Sequence, residues 1–107
     1  MENKQLTKYD KFIADDLKDN QEYLQYFIKM TIKRYQRTKN LKTFLRNLKL
    51  ISIAQKGGIN QISKETSVAR KTLYNIFDNK NFTFNNFSKL LNTLDIEINF
   101  RQHQRTS

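Results

Sequence analysis

Across 107 residues the chain contains no proline, and its only two glycines stand side by side as Gly57-Gly58. Sheets built of short strands need a turn every few residues, and glycine and proline supply most of those turns. A chain this poor in both reads as a set of helices. It is also long enough for one domain with a modest core. An apolar fraction of 37% with 12% aromatics suffices for that core and argues against wholesale disorder.

Apolar spacing divides the chain. Residues 7–18 read as a first helix with Tyr9, Phe12, Ile13 and Leu17 on one apolar face, and Lys11 and Asp15 can pair at i, i+4. Asn20 is placed to cap a second helix over about 21–36, where Leu24, Phe27, Ile28 and Tyr35 keep the helical period. A third helix is expected over about 41–55. Leu41, Phe44, Leu45, Leu48 and Ile51 form its apolar stripe, Lys42, Arg46 and Lys49 its basic one, and Gly57-Gly58 stops it. Thr83 is placed to cap a last helix over 84–94, with Phe84, Phe87, Leu90, Leu91 and Leu94 on one face. Ile96 to Phe100 then alternates apolar and polar, as a short strand does. A lone strand leaves its backbone unsatisfied. The apolar face of the 84–94 helix either completes the core or makes a dimer seam, and a homodimer through that helix and the 96–100 strand is expected.

Between these elements lies the stretch 59–77. Ile59 and Ile62 give a short helix an apolar edge, and Ser63 is small enough to let another helix cross it. Ser67 and Val68 fill a turn, and Leu73 and Ile76 give a second helix its buried face. This is the pattern of a helix-turn-helix, whose second helix can enter the major groove of DNA. Arg70, Lys71, Thr72, Tyr74 and Asn75 are left facing outward. The bland alternative is a pair of short helices in an all-helical domain that never meets DNA.

The charge favours a polyanion. The formal net charge is +10, yet residues 1–25 hold six acids against four bases, while residues 26–58 hold nine bases and no acid. Nucleic acid is the usual partner of such an excess. The alternative for the basic stripes is an ordinary solvated helix face. No cysteine is present, so disulfides and thiolate metal sites are excluded. No apolar run is long enough to span a membrane, and the N-terminus lacks the apolar core of a signal peptide, so a cytoplasmic protein is expected. His103 is the only histidine, and the acids after Glu22 show no metal-ligand spacing. No catalysis, metal or cofactor is expected.

From about Glu22 to Phe100 the sequence resembles the HigA-type antitoxins, or addiction-module antidote proteins, which carry a helix-turn-helix of the Cro and phage-repressor type. The resemblance rests on Glu22-Tyr23-Leu24, on Asn60-Gln61-Ile62-Ser63-Lys64-Glu65-Thr66 with Val68, on Arg70, on Thr72-Leu73-Tyr74 and on Leu90-Leu91. Where the family often has a turn glycine, this chain has Ser67. A common capping serine is Ala69, and a common proline is Phe82. The fold this implies is all-α: a phage-repressor-like helix-turn-helix bundle over 38–100, with an N-terminal helical extension over 1–37, one short C-terminal strand and a basic tail over 101–107.

The resemblance also implies function. A dimer would bind a double-stranded operator and repress its own operon, and it would neutralise a RelE-like ribonuclease toxin in a type II toxin–antitoxin pair. Arg70, Lys71, Thr72, Tyr74 and Asn75 fall where recognition-helix side chains meet DNA. Arg70 can fork onto guanine and Asn75 can pair with adenine. Asn60, Gln61 and Lys64 are candidates for phosphate contacts. Asp15, Asp16, Asp19 and Glu22 suit a basic toxin surface by charge. Two other readings stay open: a nucleic-acid binder indifferent to sequence, using the basic 26–58 surface, and a pure protein-interaction module.

Overall fold

The computed structural model describes residues 7–98. Six α-helices follow one another within it: α1 (Lys8–Asp19), α2 (Gln21–Thr38), α3 (Leu41–Ala54), α4 (Gly58–Thr66), α5 (Arg70–Phe77) and α6 (Phe84–Thr93). Polar side chains close four of the N-termini. Thr7, Asn20, Asn40 and Thr83 each accept a hydrogen bond from the backbone N–H three residues on, at 3.0–3.1 Å.

The C-termini are closed differently. Lys39, Ser67, Asn79 and Asp95 take left-handed backbone conformations, with φ of 56–62°. At Asn79 and Asp95 the full pair of closing bonds is made. Lys80 N–H donates to Asn75 O and Asn79 N–H to Ile76 O; Ile96 N–H donates to Leu91 O and Asp95 N–H to Asn92 O. Gly57 and Gly58, both left-handed, turn the chain from α3 into α4. A Cβ on Gly57 would stand 2.6 Å from Gln61 Cβ, so this reversal has room only for glycine.

α3 is the central helix and packs against α1, α2, α4 and α5, while α6 packs on α4. It buries Phe44, Leu45, Leu48, Leu50, Ile51 and Ala54. Ser52, also fully buried, satisfies its hydroxyl by donating to Leu48 O at 2.7 Å. Ala14, Leu17 and Leu24, from the stretch read as an N-terminal extension, join the same cluster as Leu73, Ile76, Leu90 and Leu91.

Two expectations are corrected. α1 is rotated from the face its apolar spacing predicts. Asp10, Ala14 and Leu17 are buried, whereas Tyr9 and Phe12 are 67% and 65% exposed. The reason is an ion pair: Arg46 of α3 donates to the Asp10 carboxylate, which lets an acid occupy an inner position. The second correction is the C-terminal strand. Residues 96–98 form no strand; Ile96 N–H closes α6 and its side chain is buried in the core, with Ile98 packed beside it. The alternation there is that of two anchors around an outward Glu97. Residues 99–100 and the tail 101–107, with His103, lie outside the described residues. Of the two alternatives for the last helix, its face completes the core: Phe87, Leu90 and Leu91 of α6 and its C-cap Leu94 are buried in the chain's own core, while Phe84 is exposed.

Candidate nucleic-acid interface

The α4–turn–α5 unit is fixed by small polar side chains. Ser67 N–H donates to Ser63 O at 2.9 Å, and the Ser63 hydroxyl donates across the turn to Val68 O at 2.7 Å. The Thr66 hydroxyl donates to Ile62 O and accepts from Val68 N–H. Val68 is buried between the helices, as its position in the turn predicts. These bonds hold the turn locally and set the direction in which α5 leaves it.

α5 has no side-chain cap, because Ala69 stands at its start. Ala69→Ser should add one and raise stability by about 1 kcal/mol, read as a higher midpoint in urea. Ser67→Gly should add about 0.5–1 kcal/mol in the same assay, since it removes a Cβ from a left-handed position. An unchanged midpoint in both would mean that the turn differs from this description.

On α5 Leu73, Ile76 and Phe77 are buried. Arg70 and Lys71 are exposed, and Thr72, Tyr74 and Asn75 are half-exposed. The Tyr74 ring is not free at the rim. It meets Phe77 edge-on and carries two cations, Lys49 Nζ 5.6 Å and the Arg70 guanidinium 5.9 Å from its centroid. Lys49 therefore joins this surface from the basic stripe of α3. The signal was present in the Lys42, Arg46, Lys49 spacing, but nothing in the sequence pairs that stripe with Tyr74. In the structure the three cations border a hollow of about 280 Å³ that ends on Phe77 and Asp78 of α5 and its cap.

Asn60 and Arg70 are brought together around a second hollow of about 340 Å³. Lys18, Gly57, Gly58 and Tyr74 also line it. The start of α4 has no side-chain cap and opens there, adding the positive end of a helix to two cations. Gln61 and Lys64 are not part of it. Gln61 donates its amide to Glu65 at 2.9 Å, and Lys64 is exposed on the outer side of α4. Asp15, Asp16, Asp19 and Glu22 are all exposed near the α1–α2 turn, Asp15 pairing with Lys11 at 3.6 Å.

Among the described residues no group of three or more His, Asp or Glu side chains is arranged to hold a metal ion, and no helix is long and apolar enough to cross a membrane. Compared with family models, curated proteins and solved structures, the chain gives no match.

Proposed function

We propose that the protein is a sequence-specific DNA-binding repressor, the antitoxin of a type II toxin–antitoxin pair, with α4 and α5 as its helix-turn-helix. One observation carries this reading. α5 is held to the core by Leu73, Ile76 and Phe77, and its other side is a polar, basic face with Arg70, Lys71, Thr72 and Asn75 open to a partner. A short helix seated rigidly and furnished outside with hydrogen-bonding side chains is what base readout in the major groove needs. Lys18 near Asn60 and Lys49 beside Tyr74 then serve phosphates, which position the protein without specifying sequence.

Operator binding by a two-fold dimer belongs to the same reading. So does a RelE-like toxin as second partner, its basic surface facing Asp15, Asp16, Asp19 and Glu22. The competing reading, a nucleic-acid binder indifferent to sequence, draws support from the way the Lys42, Arg46, Lys49 stripe runs up to Tyr74.

Fluorescence-anisotropy titration separates the two. The protein is titrated against the DNA upstream of its own coding sequence and against a scrambled duplex, over a salt series. A repressor binds the native duplex much more tightly at every salt concentration. Equal binding to both, governed by salt alone, would overturn the repressor reading in favour of a general polyanion surface.

A further inference from the structure

Of the six large apolar side chains most exposed among the described residues, five lie on α1 and α2: Tyr9, Phe12, Tyr23, Tyr26 and Met30. They are not scattered. Tyr23 meets Phe27 edge-on with ring centroids 6.5 Å apart. Tyr9, Ile13, Phe27 and Met30 line one groove of about 270 Å³, with Arg34 and Arg37 on its wall. Aromatic, methionine and arginine side chains are those that protein interfaces concentrate. No residue of α4 or α5 lines the groove.

The hairpin of α1 and α2 also carries a charge gradient. Asp16, Asp19 and Glu22 are exposed at its turn, and Arg34 and Arg37 are exposed at its open end. Among the described residues none of these five is in an ion pair. Phe12 stands on the acidic half, with Asp16 and Asp19 at i+4 and i+7 on the same side of α1. A face that is acidic at one end and basic at the other is complementary to itself turned end over end, as a two-fold interface requires.

We infer that two copies of this chain associate through the α1–α2 face, antiparallel. Phe12 of each copy enters the groove of the other between Tyr9 and Met30, and Asp16 and Asp19 meet Arg34 and Arg37. The net charge of +10 makes two copies repel at long range. Salt at about 0.1 M confines that repulsion to roughly 10 Å, within which the opposite charges of the paired faces act. The inference stands without the DNA-binding reading. It does place a toxin and a second copy in competition for the same acids. It also moves the dimer seam away from α6, whose apolar residues other than Phe84 fill the chain's own core.

The test is sedimentation equilibrium of the full chain, without DNA, over a concentration series at 0.1 M-range salt. Wild type is expected to be a dimer. The doubly reversed variants Arg34→Glu with Arg37→Glu, and Asp16→Arg with Asp19→Arg, are each expected to weaken the dimer by about a hundredfold or more. Combining all four should restore it to within about tenfold of wild type, because the charges are exchanged rather than lost. All four positions are exposed, so each variant is expected to give the far-UV circular dichroism spectrum of the folded wild type. Phe84→Ala should leave the dimer intact. A monomeric wild type overturns the inference. So does a dimer indifferent to the reversals, a combined variant that stays monomeric, or a dimer that Phe84→Ala dissociates.

Discussion

Replacing Leu73 by alanine is expected to lower stability by about 2–5 kcal/mol, the usual cost of emptying a fully buried leucine position. Leu73 is wholly buried, and with Ile76 and Phe77 it is what fastens α5 to the rest of the chain. A domain of this size holds only about 5–15 kcal/mol against unfolding, so the substitution consumes a large share of it. The melting temperature should fall by roughly 10–30 °C, followed by far-UV circular dichroism. Lys71→Ala, two residues earlier in the same helix but exposed, should shift it by no more than a few degrees. If Leu73→Ala melts with the wild type, α5 is not seated on the core as described.

The second large effect is on recognition. Arg70→Ala and Asn75→Ala should each reduce the preference for the native duplex over the scrambled one by about 1–3 kcal/mol, or roughly 5- to 150-fold. Both residues lie on the outward side of α5, so the loss should come with little change in melting temperature. Lys71→Ala should instead weaken both duplexes alike and reduce the slope of log affinity against log salt by about one. Anisotropy titrations of the three variants distinguish a base contact from a phosphate contact. A preference that survives in Arg70→Ala and Asn75→Ala together would place the readout elsewhere.

Much of this architecture is legible in the residues. The helix boundaries follow from Asn20, Thr83 and the Gly57-Gly58 pair, and the buried face of α5 follows from Leu73 and Ile76. These features act within one or two turns of their own helix, so sequence spacing captures them. What escaped depends on partners far along the chain. Asp10 turns inward because Arg46, 36 positions later, meets it. No local pattern announces that, and the apolar spacing of Tyr9 and Phe12 points the helix the other way. Tyr74 was legible as an outward residue of α5, but its ring is engaged by Lys49 from α3. The short strand expected over 96–100 fails on its described part for a related reason. Ile96 and Ile98 alternate with Glu97 because the core on one side needs two plugs, and alternation alone does not say whether a neighbouring strand or a helix receives them.

Four helices end on Lys39, Ser67, Asn79 and Asp95 in the left-handed region, where a side chain costs something that glycine would not. Summed over the four, the stored strain amounts to about 2–4 kcal/mol, less at asparagine and aspartate than at the other two. Each ending is held in place by backbone bonds and by core burial that outweigh the local preference. The molecule therefore has thermal headroom it does not use. Its backbone already describes a sturdier protein than its side chains deliver, and the difference sits at the helix ends, outside the core and away from the outward face of α5.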